Sequence, residues 1–166
     1  MKRLSITIFC TLLSVFLTAA AAMAQTVVGV KGEIASPAAA GCRAGFAAMA
    51  GRQMKMGLAQ ADIGYNQSSV HCDLSLLLRA FGDRSHSLNM YLGAGLTGVV
   101  DITGGSGKAF IAGAFPVMQA EAFISRRIAL YADVRTPLMF IEHGVKATAR
   151  YSLGVRFLLY REVSHE

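Results

Sequence analysis

Ser68, Ser69, His71, Glu142 and His143 have the side-chain types of a nucleophile, a base and an orienting acid. Brought to one rim of a β-structure, they would make the Ser–His–acid set of a lipid hydrolase. Residues of these types also gather in rim loops for solvation alone, and their spacing selects no triad. Gly93-Ala94-Gly95-Leu96-Thr97-Gly98 spells GxGxxG. That string cradles a pyrophosphate when it lies at the turn from a strand into a helix. Here it lies inside an alternating run with no amphipathic helix after it, so small residues in a narrow interior are the better reading. Gly104-Gly105-Ser106-Gly107-Lys108 fails the Walker spacing, because Ile102 holds the first glycine position and Ala109 replaces the hydroxyl residue. His71, His86, His143 and His165 show no metal-ligand spacing. The expectation is no cofactor, no metal and no enzymatic activity.

The start of the chain reads as an export signal. Lys2 and Arg3 precede an apolar run from Leu4 to Ala22, and Ala22-Met23-Ala24 offers the small residues that a signal peptidase reads. Residues 1–24 are therefore expected to be removed from the 166, leaving 142. Loss of Lys2 and Arg3 leaves 14 basic against 10 acidic residues, a net +4. That charge is too mild and scattered for nucleic-acid binding. Cys42 and Cys72 remain after cleavage, and an oxidising compartment would allow them to pair. On strands two apart, however, they would sit about 9.5 Å from each other. A bridge holds Cα atoms within about 7 Å, so a disulfide would need the rim to bend.

Hydrophobic residues make up 54% of the chain and charged residues 16%. A soluble domain carries about 45–50% and about 25%. Beyond residue 24 no apolar run reaches the roughly 18 residues of a spanning helix. What does recur is alternation of period two between turn-like clusters. It predicts strands at 26–34, 41–50, 54–65, 70–81, 87–99, 112–124, 127–139 and 146–160, with turns that include Gly51-Arg52. Leu88, Met90, Leu92, Ala94 and Leu96 take one face of their strand. Likewise Cys72, Leu74, Leu76, Leu78 and Ala80 oppose Asp73, Ser75, Leu77, Arg79 and Phe81. The fold class expected is an eight-stranded antiparallel closed β-barrel of outer-membrane type, spanning residues 25–160, with a short polar tail at 161–166.

Membrane barrels reverse the usual assignment of faces, setting apolar side chains outward. The inward face would then carry Arg43, Asp62, Asp73, Arg79, Glu121, Asp133, Arg135, Arg150 and Arg156. Eight strands enclose a lumen that side chains just fill. Four acids against five bases suit such a plug, because a buried charge without a partner is costly. A soluble β-barrel or sandwich would show the same alternation with apolar residues inside. The excess of apolar residues and the export signal decide for the membrane barrel, with outer-membrane lipid as its first partner.

Three stretches are similar to the TraO family of conjugative-transposon transfer proteins. They are Leu88–Val100 (LNMYLGAGLTGVV), Glu121–Thr136 (EAFISRRIALYADVRT) and Tyr151–Leu159 (YSLGVRFLL), joined by the Lys31-Gly32 segment. The chain departs from the family pattern in its shorter connections and its lack of Trp. The resemblance implies a non-catalytic outer-membrane component of a conjugative DNA-transfer apparatus, with other transfer proteins as partners and no catalytic residues to assign. The alternatives are a general small barrel for envelope integrity or adhesion, and a lipid-modifying barrel enzyme.

Overall fold

A computed structural model describes residues 26–37, 43–54, 56–67, 69–82, 88–102, 110–141 and 144–159. Residues 1–24 and 161–166 lie outside them. The strands are β1 (Thr26–Pro37), β2 (Arg43–Gln53), β3 (Gly57–Asn66), β4 (Ser69–Phe81), β5 (Leu88–Asp101), β6 (Ile111–Phe123), β7 (Ile128–Arg135), β8 (Leu138–Ile141) and β9 (Gly144–Leu159). Successive strands pair antiparallel, and β9 returns to pair with β1. Closure leaves no exposed sheet edge to template aggregation.

β7 and β8 form one barrel strand interrupted at Thr136-Pro137, since both lie between β6 and β9 in an unbroken register. The period-two pattern predicts this strand as continuous. Pro137 breaks it because proline has no N–H to give the ladder. Neighbouring groups compensate: Thr136 N donates to the Pro116 carbonyl at 3.3 Å, and Thr148 N donates to the Pro137 carbonyl at 3.0 Å. The result is the expected eight-stranded closed antiparallel barrel.

Opposed residues define its dimensions. From Thr26 the path runs through Arg52, Ala59, Leu76, Ala94 and Pro116, then across the break at Thr136 to Ala149. It regains β1 at Ser36, ten residues on from Thr26. With strands about 4.8 Å apart and about 3.3 Å of rise per residue, this stagger tilts the strands about 40° and gives a backbone radius of about 8 Å. So narrow a tube leaves room for side chains and little else.

Two local readings of the sequence need correction. Gly51-Arg52 is not a turn: Gly51 lies within β2, opposite Val27 and Gln60, and the chain reverses between Gln53 and Gly57. Phe81, expected on the inner face with Arg79, points outward at 62% exposure. A register shift between Arg79 and Phe81 inserts one extra residue, which flips every later side chain to the opposite face. Gly82 then turns the chain with φ +87°, where a side chain would also strike Leu88 and Asn89.

Polarity is reversed relative to a soluble protein. Val30, Phe46, Leu78, Leu92, Leu96 and Leu153 are all more than half exposed on the outer face. Meanwhile Lys31, Glu33, Asp62, Asp73, Glu121, Asp133, Arg135 and Arg156 are all at least 95% buried within the tube. Thr26, Leu159 and the strand ends at the β2–β3, β4–β5 and β6–β7 reversals share one end of the barrel, termed here the terminal end. The remaining strand ends lie at the far end.

Candidate functional site in the barrel lumen

The far half of the lumen holds a lattice of charges contributed by β1, β3, β4, β7 and β9. Its centre is Arg135. Its Nη1 lies 2.6 Å from Asp62 Oδ2 and 2.9 Å from Asp73 Oδ2, and its Nε lies 3.0 Å from Asp133 Oδ1. Arg150 Nη1 meets the same Asp73 oxygen at 2.5 Å. Lys31 Nζ stands 3.1 Å from Glu33 Oε1, 3.4 Å from Asp62 Oδ2 and 3.6 Å from Asp133 Oδ2. Ser152 Oγ donates to Asp133 Oδ1 at 3.1 Å. His71 Nε2 lies 3.0 Å from Glu33 Oε2.

The pairing of strands explains why these charges need one another. Asp62 is directly opposite Asp73 in the β3–β4 ladder. Arg135 is directly opposite Arg150 in the β7–β9 ladder. Like charges in opposed positions destabilise a ladder. Each of these pairs finds counter-charge in the other, reached across the lumen, with Lys31 also beside Asp62 and Asp133 also beside Arg135. Such buried ion pairs offset much of their attraction with lost hydration, so their net worth is small while both partners are present. Losing one partner is what costs.

The terminal half is built differently. Arg156 Nη1 lies 2.7 Å from Glu121 Oε1, and Tyr91 OH donates to Glu121 Oε2 at 3.0 Å. The Arg156 guanidinium sits 4.7 Å from the centroid of the Tyr131 ring, a cation–π contact. Arg79 stands 5.9 Å from that of Tyr91. Around this single ion pair pack Val27, Leu58, Leu77 and Leu158. Glycines make room for the rings: a Cβ on Gly95 would run into Phe115, and one on Gly154 would press on Tyr131. This accounts for the first two glycines of GxGxxG as neighbours of bulky lumen residues and backbone, within a strand and remote from any helix.

The nine charged residues expected inside can now be placed. Asp62, Asp73, Glu121, Asp133, Arg135, Arg150 and Arg156 are buried in the lumen, and Arg79 reaches it from the edge of the bulge. Arg43 departs from the expectation: it begins β2 at the far end, where the wall stops, and is exposed. Lys31 and Glu33 are lumen charges that the sequence reading missed. The signal was present, since Val27, Gly29, Lys31 and Glu33 alternate with Val28, Val30, Gly32 and Ile34. Glycine on both faces blurs the contrast.

Of the hydrolase candidates, His71 points into the lumen against Glu33, and Ser69 Oγ donates to Asn66 Oδ1 at 2.8 Å. Ser68, Glu142 and His143 lie outside the described residues, as does Cys42, the candidate partner of Cys72. Among the described residues no cluster of His, Cys, Asp and Glu has the make-up of a metal site. Chemically, the lumen holds charge in place: each carboxylate of the lattice lies against a cation or an imidazole.

No family model matches the sequence. No curated protein matches it either. Solved structures do. The N-terminal β-barrel domain of OprF from Pseudomonas aeruginosa superposes with a TM-score of 0.63 at 17% identity, covering 82% of this chain and 100% of that domain. Neisserial surface protein A gives 0.60 at 17% identity, covering 80% and 95%. A structure from the de novo design of transmembrane β-barrels gives 0.54 at 11% identity, again over 80% and 95%. The fold is thus that of the small outer-membrane-type barrels, at identities that speak to fold alone.

Proposed function

We propose that this chain is a small, non-catalytic outer-membrane barrel that serves the integrity or surface contacts of the envelope. The observation that carries the reading is the reversed polarity of the wall: exposed Leu, Ile, Val and Phe outside, buried Lys, Arg, Asp and Glu inside. An apolar face of this extent is stable against hydrocarbon and prone to aggregate in water. At about 40° of tilt, a band about 25 Å tall takes about 10 residues per strand. Seven of the eight barrel strands supply 10 or more in one run, and β7 with β8 supplies 12 in two pieces.

The test is electrophoresis of separated inner and outer membranes, with and without boiling. An outer-membrane band that migrates faster unboiled is the expected result; a soluble band with no shift would overturn the reading. A charge on the wall gives a second check. Leu92 is 52% exposed on β5. Leu92→Arg is expected to cost about 2–4 kcal/mol in a bilayer, measured by urea unfolding in lipid vesicles.

A second reading is favoured by the three stretches similar to the TraO family. In it the barrel belongs to a conjugative transfer apparatus and contacts other transfer proteins. Deleting the gene from a donor strain and counting transconjugants tests it: loss of transfer, restored by the intact chain, supports the reading, and unchanged transfer removes it.

A further inference from the structure

The wall over β9, β1, β2 and β3 is not evenly covered. Gly32 points outward between Phe46 of β2 and Leu153 of β9, its two directly opposed neighbours. A Cβ placed on Gly32 would meet nothing within 4 Å. With Ala48 it floors a depression of about 540 Å³, walled by Phe46 and Ile63 on one side and Leu153 and Val155 on the other. That size falls in the range of small-molecule sites, about 300–1,000 Å³. The lining is almost wholly apolar, and its rims protrude, with Phe46 at 66% and Leu153 at 67% exposure.

We propose that this depression is a binding site for an acyl chain of a phosphate-bearing lipid. The inference rests on the reading of the outer face as lipid-facing. Two observations select this occupant. The depression is continuous with the apolar wall, so hydrocarbon is the medium it opens onto, and a flexible chain can follow a hollow walled by protruding side chains. A second barrel presents a convex face, which would touch those rims and leave the floor uncovered. Charge is complementary as well: Arg52, on the same face of β2 as Phe46 and Ala48, is part-exposed at the terminal rim, where a lipid phosphate would lie.

Gly32→Leu tests the site, because it fills the hollow without meeting a neighbour. The assay is native mass spectrometry of the full chain, released from mild detergent after incubation with dipalmitoyl phosphatidylglycerol. The wild type is expected to retain one lipid. Gly32→Leu is expected to weaken retention about tenfold, the worth of about two buried methylenes. Ala94→Leu, outward on β5, is expected to retain the lipid as the wild type does. Equal retention by the wild type and Gly32→Leu would overturn the site. So would a dimer of the wild type that Gly32→Leu abolishes, which would make a second copy the occupant. Boiled and unboiled samples of each protein, run alongside, separate the two failures: an intact barrel shift with no selective lipid loss sinks the site alone, and absence of the shift sinks the membrane reading beneath it.

Discussion

The two halves of the lumen fill the same tube by different means. In the far half, Arg135 serves three carboxylates at once, and Lys31 shares two of those three. In the terminal half, Arg156 serves one carboxylate, Glu121, with Gln60 and the Tyr131 ring beside it, and aliphatic packing does the rest. A charge in the lattice is therefore compensated by a network, whereas one in the terminal half is compensated by a pair. Network members should be costlier to lose, because each loss strands several buried groups together.

Arg135→Met breaks this contrast most directly. It leaves Asp62, Asp73 and Asp133 facing one another with less compensation, and about 3–5 kcal/mol of stability should go. Urea unfolding followed by the gel shift measures the loss. Leu77→Ala, in the aliphatic half, should cost about 2–4 kcal/mol by opening a cavity. Arg156→Met strands a single carboxylate that keeps its bond from Tyr91, so about 2–3 kcal/mol is expected. A loss as large as that of Arg135→Met would erase the distinction between network and pair. Ser152→Ala removes one bond to Asp133 and should cost about 1 kcal/mol. It sharpens the comparison, since Asp133 keeps Arg135 and Lys31.

Most of the barrel was legible in the sequence because a strand writes its two faces into alternate residues. Leu88, Met90, Leu92, Ala94 and Leu96 kept one face over a whole strand, and they do so in the structure. Where an element departs from strict alternation, the pattern failed. The extra residue near Ala80 reversed Phe81, and nothing local to the sequence marks a bulge as distinct from a strand end. Gly51 carries a turn residue's identity without a turn, because a glycine also suits a crowded ladder position. Depth was the other blind spot. His71 has the chemistry of a rim residue, but its position two residues into β4 places it in the lumen beside Glu33. Which charges meet across the tube was not legible at all. Arg135 and Asp73 lie 62 positions apart, and only the stagger of the closed sheet brings them together.

The opposed like charges of the lattice bear on how the barrel comes together. A β3–β4 hairpin forming alone sets Asp62 against Asp73, and a β7–β9 pair forming alone sets Arg135 against Arg150. Each half-sheet thus carries a local conflict of charge that pairing across the lumen relieves. A slip of two residues between β3 and β4 would keep every side chain on its proper face and pass any check based on polarity. It would nonetheless move one aspartate out of reach of Arg135. The lattice therefore penalises slipped or partly closed sheets, whose opposed like charges lack the counter-charges that closure brings across the tube.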